Sequence, residues 1–213
     1  MKKDRVRHVV GFILAPHRSY SSFNQYIENV ETAKKEAFFP GLEVTYVDPW
    51  HEHPLFIEAV ADRVKDQLKL IEETNPDDTL LIFTAHSIPM SMADQCKYHE
   101  EIETSSRLVA EKLGRARWMV AYQSRSGRPQ DPWLEPDINQ ALRHAHSHEI
   151  QNVVVVPIGF LSDHAEVLYD LDFDAKMTAN KSDLKFFRAE TVMDHPKFIE
   201  MMYDVIQSAV SSK

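Results

Sequence analysis

Short, uninterrupted apolar runs, each followed by an amphipathic stretch, constrain this chain more than any other feature. VVGFIL (9–14), TLLIFT (79–84) and VVVVP (153–157) show almost no alternation of apolar and polar residues. A strand that is apolar along its length is covered on both faces, which is the condition of a parallel sheet with helices above and below it. LEVTYV (42–47), WMVAY (118–122) and 184–187 extend the set of predicted strands. Apolar residues spaced three and four apart predict helices over 22–36, 55–73, 99–113, 135–148, 162–178 and 196–210. Strand–helix alternation with right-handed crossovers then gives an α/β fold, an open parallel sheet in a three-layer α/β/α sandwich. Ligands in such sheets bind at the carboxyl ends of the strands, and the unusual polar residues of this chain gather there.

Charge and composition narrow the function. A formal net charge of −9 gives no broad attraction to nucleic acid or to an anionic membrane. The single cysteine, Cys96, can neither close an intrachain disulfide nor hold an iron–sulfur cluster. Such a chain suits a reducing compartment, and no apolar stretch is long enough for a signal peptide or a membrane span, so the expected location is cytoplasmic. Five glycines and no glycine-rich phosphate loop argue against a nucleotide fold built on one. Neither a G-x-S-x-G elbow nor a C-x-x-C or H-E-x-x-H pattern is present, which sets aside a serine hydrolase and a closed structural zinc site.

Two segments carry chemistry. In TLLIFTAHSIP (79–89) an apolar strand delivers His86 to its carboxyl end, where an imidazole serves as a neutral metal ligand or a general base. Most of the eleven histidines must be structural, so His86 alone decides nothing. In VVVVPIGFLSDHAEVLYDLDFD (153–174) a strand ends at Pro157 and Ser162 is the expected helix N-cap. Glu166, Asp170 and Asp174 then fall at i, i+4 and i+8 on one helical face, with Asp163 a turn earlier near the same face. Stacked like charges cost a few tenths of a kcal/mol per pair, so a sequence chosen only for helix stability would avoid them; the ladder alone reads either as a solvated acidic face or as a face that meets a cation. If both segments reach the same sheet edge, the imidazole and the first carboxylate face each other, a donor set for Fe²⁺, Co²⁺ or Zn²⁺.

Five segments in order, LAPHRSYSSFNQY (14–26), PWHEHPLFIEAVADRV (49–64), TAHSIP (84–89), YQSRSGRPQDPWLEPDI (122–138) and VVPIGFLSDHAEVLYDLD (155–172), resemble the ferrochelatases. The resemblance implies a chelatase-like fold and insertion of Fe²⁺ into a porphyrin in haem biosynthesis, with no permanently bound cofactor. It places the family's metal-site histidine on His86 and its glutamate on Glu166, both catalytic and metal-binding, and an outer metal path on Asp170 and Asp174. Tyr26 and the loop around Trp133 would lie against the tetrapyrrole. A-H-S-I-P and P-I-G-F-x-S-D-H-x-E-V-L-Y-D are closer to the coproporphyrin III-using bacterial branch than to the protoporphyrin IX-using one. The family pattern also implies an upstream half of a first domain that this chain lacks. Residues 1–40 would be the remnant of that domain, 41–190 the second domain with the metal site, and 191–213 a C-terminal helix packing back on the remnant. A second copy, or the missing half supplied in trans, would cover the remnant. The alternatives are another tetrapyrrole chelatase, using cobalt or nickel, and a non-catalytic porphyrin- or haem-binding module.

Overall fold

The computed structural model describes residues 1–72, 75–128, 130–148 and 150–211. Residue 73 of the predicted helix 55–73, residue 129 of the 122–138 segment and residues 212–213 of the expected C-terminal helix 191–213 lie outside them. At the centre stands β3 (Thr79–His86), flanked by β4 (Trp118–Gln123) and β5 (Asn152–Val156). Outside β5 lies β6 (Lys185–Arg188), so the main sheet runs β4-β3-β5-β6 with every ladder parallel. All of β5 and all but the last residue of β3 are buried, as two-sided coverage of an apolar strand requires.

Alternation along these strands assigns the layers. Leu81, Phe83, Ala85, Val154 and Val156 join one core with α2 (Pro54–Leu68), α4 (Tyr98–Leu113) and α8 (Pro196–Ser211). Leu80, Ile82, Val153 and Val155 point the other way, toward α5 (Ile138–Ser147) and the helical segment that follows β5. The sandwich therefore has three layers, as its sequence predicts. Each fully buried aliphatic or phenyl side chain is worth roughly 1.5–3 kcal/mol over leaving it in water, so these two cores outweigh local propensity. A short helix, α3 (Met90–Ala93), follows His86 and has no counterpart among the predicted elements.

A second, two-stranded sheet pairs β1 (His8–Gly11) with β2 (Glu43–Tyr46), again in parallel. The expected boundary at residue 40 thus falls between two paired strands. Here the sequence expectation needs correction: β1 is shorter than 9–14, and none of its residues is fully buried. One face of this sheet remains open, because α1 (Gln25–Glu36) leaves a cavity of about 570 Å³ between itself and Phe12, Ile13 and Tyr46. The small sheet is tied to the main body by aromatic packing. Phe12 stacks on Trp50 with ring centroids 5.7 Å apart, and Trp50 meets Phe56 of α2 and Phe198 of α8 at 5.2 and 5.9 Å.

Candidate metal site

His86 is the last residue of β3, the point at which a buried strand reaches the surface. Its backbone is held from two sides. The Tyr98 hydroxyl on α4 donates to the His86 carbonyl at 3.0 Å, and Ser87 N–H donates to the Gln123 carbonyl at 2.8 Å. Burial pushes the Tyr98 phenol well above its ordinary range, so it stays a donor. The His86 ring contacts the Ser87 carbonyl oxygen through Nδ1. A carbonyl only accepts, so Nδ1 carries the proton and, in the neutral ring, Nε2 keeps its lone pair. That Nε2 faces Glu166 Oε1 at 3.7 Å.

Glu166 reaches this position through a tight crossing. Gly159, just beyond β5, donates its N–H to the Thr84 carbonyl at 3.0 Å and lies directly on the end of β3. A Cβ there would sit 2.6 Å from Ala85 Cβ and 2.8 Å from Ala85 Cα, so only glycine lets the two chain segments touch. The helix then begins at Ala165, capped by His164, whose Nδ1 accepts from Val167 N–H. This corrects the expected Ser162 cap. It also moves Asp163 off the helix: Asp163 pairs with Arg188 Nη1 at 2.9 Å, and Arg188 Nε reaches Asp172 at 2.6 Å. Arg188 of β6 thereby clamps the segment to the sheet edge and takes Asp163 out of the acidic ladder.

The ladder itself is not on an ordinary α-helix. One helical turn, α6 (Ala165–Val167), passes into a π-helix (Leu168–Ala175) and then α7 (Lys176–Lys181). The reason lies in the sequence period. Val167, Leu171, Ala175 and Ala179 are all fully buried, a stripe with a strict four-residue repeat. An α-helix turns 100° per residue, so such a stripe would drift about 40° at each step and rotate away from the core. Widening the turns to i→i+5 bonding cancels that drift. The same underwinding keeps Glu166, Asp170 and Asp174 in a row. Asp170 accepts from the Ser124 hydroxyl and, at 3.4 Å, from Gln123 Nε2; Asp174 accepts from Asn139 Nδ2 at 2.8 Å. Both outer acids are held by neutral donors, and among the described residues neither is paired with a cation.

A cavity of about 460 Å³ opens beside His86, with Tyr26 and Trp133 on its walls. Tyr26 is placed by a reciprocal cap at the start of its helix, in which Ser19 N–H donates to Ser22 Oγ and Ser22 N–H to Ser19 Oγ. Trp133 is placed by its neighbours: Leu134 N–H donates to the Ile88 carbonyl and Met90 N–H to the Pro132 carbonyl. The structure thus brings His86 together with Glu166, and His86 together with Tyr26 and Trp133. It does not gather the four predicted metal residues into one cluster. Among the described residues no three His, Cys, Asp or Glu side chains converge at ligand spacing.

His17 and Tyr98 also line the cavity and were not singled out by sequence. His17 is fully buried; its Nε2 lies 3.1 Å from Ser105 Oγ, and that hydroxyl is within reach of the carbonyls of His51 and Glu101. Ser105 therefore donates to a carbonyl and accepts from Nε2–H. Burial first, and His51 second, push His17 down to about 3, so it is neutral throughout the physiological range. A lone loop histidine has no periodicity to mark it; the APH of 15–17 was its only signal. Its neighbour Arg18 grips the buried Glu101 of α4 through backbone and side chain, which pins this rim of the cavity.

The sequence profile of the ferrochelatase family matches residues 1–210. A ferrochelatase of Rhodopirellula baltica is 40% identical over 208 residues, 97% of this chain and 59% of that protein. One of Thermus thermophilus is 37% identical, with 98% and 65% covered, and a coproporphyrin III ferrochelatase of Mycolicibacterium smegmatis is 34% identical, with 97% and 62% covered. The chain thus spans about three fifths of the length of these relatives. Among solved structures, SirB from Bacillus subtilis superposes with a TM-score of 0.68 at 12% identity, covering 98% of this chain and 73% of that one, a likeness of fold. By the extent of the profile match and the identity of these relatives, the chain belongs to the ferrochelatase family.

Proposed function

We propose that this chain handles the metal in a ferrochelatase reaction, the insertion of Fe²⁺ into a porphyrin in haem biosynthesis, in the cytoplasm. The observation that carries the reading is His86 Nε2 facing the Glu166 carboxylate at 3.7 Å, beside a cavity walled by Tyr26 and Trp133. The ring would lie in that cavity against the two aromatic side chains. Fe²⁺, as substrate, would shed water along Asp174 and Asp170 and pass to Glu166 and His86. Insertion releases two pyrrolic protons for each metal ion taken up. A neutral imidazole accepts one of these at Nε2, and the carboxylate beside it accepts or relays the other. A set of only two strong donors holds a cation loosely, which favours release into the ring. Coproporphyrin III is the preferred substrate in this reading, supported by the A-H-S-I-P segment and the coproporphyrin-using relatives.

The test is anaerobic insertion of Fe²⁺ into coproporphyrin III and protoporphyrin IX by the parent chain, His86→Ala and Glu166→Gln, with folding verified by circular dichroism. Parental turnover with loss in both variants supports the assignment. Near-parental turnover in both variants sinks it. Porphyrin binding by the parent, seen as a Soret shift without metal insertion, would replace the enzyme reading with a binding module.

A further inference from the structure

Away from the cleft, α5 ends in the sequence RHAHSH (143–148). His144 and His148 are both exposed, and their rings lie with centroids 4.0 Å apart and planes inclined by 39°. They stand at i and i+4, the spacing that puts two side chains on one helical face. His148 is fixed rather than free to rotate: its Nδ1 lies 3.0 Å from the His144 carbonyl and 3.1 Å from Ser147 Oγ, and the Ser147 hydroxyl itself donates to the His144 carbonyl at 2.7 Å. Since a carbonyl only accepts, Nδ1 of His148 bears the proton and Nε2 keeps its lone pair. A ring N–H donated to a backbone carbonyl is the arrangement that orients and strengthens metal-ligating histidines. His86 shows the same arrangement in the cleft.

We propose that His144 and His148 form a second metal site, a two-imidazole surface chelate completed by water. Two imidazoles, with no third His, Cys, Asp or Glu converging on them among the described residues, favour late first-row divalent cations, in the order Cu²⁺ over Ni²⁺ and Zn²⁺, with Fe²⁺ weaker. The site therefore takes the competitors of iron rather than iron itself. It stands apart from the cleft. Asn139, near the start of α5, holds Asp174, whereas His144 lies about 7.5 Å further along the helix axis at 1.5 Å per residue. The inference does not depend on the ferrochelatase reading.

The experiment is calorimetric titration of the untagged chain with NiCl₂. In a His86→Ala, Glu166→Gln background, one equivalent of Ni²⁺ should still bind. Adding either His144→Ala or His148→Ala should weaken that event by at least about tenfold, the loss of a chelate partner. His146→Ala, on the next exposed position, should leave it unchanged. Should the background variant fold poorly, the same loss of one equivalent is read in the parent carrying His148→Gln. The proposal is overturned if the background variant binds no Ni²⁺, if binding survives removal of both histidines, or if His146→Ala abolishes it equally.

Discussion

Replacing His17 by glutamine should flatten the acid sensitivity of this fold. Glutamine keeps a side-chain N–H for Ser105 Oγ but cannot be protonated. In the folded chain burial holds His17 at about 3, whereas the unfolded chain protonates it at its ordinary 6.5. Above 6.5 both states are neutral and the residue is silent. As the pH falls from 6.5 toward 3, the unfolded state takes up a proton that the folded state refuses, and stability is lost. At 1.36 kcal/mol per pH unit, the loss between pH 7 and pH 5 is about 2 kcal/mol. The assay is urea denaturation of parent and His17→Gln at both pH values. Any packing cost of the substitution appears equally at pH 7 and pH 5 and cancels in the comparison. The parent should lose about 2 kcal/mol more than the variant on acidification. Parallel losses would refute the argument, because they would mean that the folded chain protonates His17 as readily as the unfolded one.

Gly159→Ala should cost about 1–3 kcal/mol in urea denaturation and weaken metal insertion, since Ala85 must give way to the new methyl group. Arg188→Met should destabilise by about 2–3 kcal/mol, below the cost of breaking a fully buried pair because Asp172 keeps partial solvent access. Adding Asp163→Asn and Asp172→Asn to it should recover part of that loss. Asp170→Asn should raise the KM for Fe²⁺ on the order of fivefold, with the porphyrin KM unchanged. A carboxylate about 8 Å from a divalent ion in a water-like dielectric is worth about 1 kcal/mol. Equal changes in both KM values would count against an outer metal path.

The main sheet could be read from sequence because its strands are apolar at every position, and only two-sided coverage accounts for that. The carboxyl-end placement of His86 followed directly. The small sheet was misread for the same reason: VVGFIL looks as buried as VVVV, yet β1 has an open face that no pattern within the run reveals. The helix predicted over 162–178 assumes 3.6 residues per turn, and the mismatch of that period with the buried four-residue repeat from Val167 to Ala179 is what the π-helix resolves. Asp163 was misplaced because its partner, Arg188, lies on a strand distant in sequence. His17 depends entirely on tertiary burial, which a loop sequence does not encode.

The wholly parallel ladders also bear on how the site is assembled in time. No pair of neighbouring strands in either sheet is a hairpin, so each pairing waits for a crossover to be closed, and contacts of this kind make folding slow. His86 sits on β3 and Glu166 follows β5, with β4 and its crossovers between them in the chain. The two donors can meet only after β3 and β5 have paired and Gly159 has settled on the strand end. If His86 and Glu166 handle the metal as proposed, a nascent or partly folded chain presents no competent pair, and metal affinity at His86 should appear in refolding kinetics only with the slowest phase.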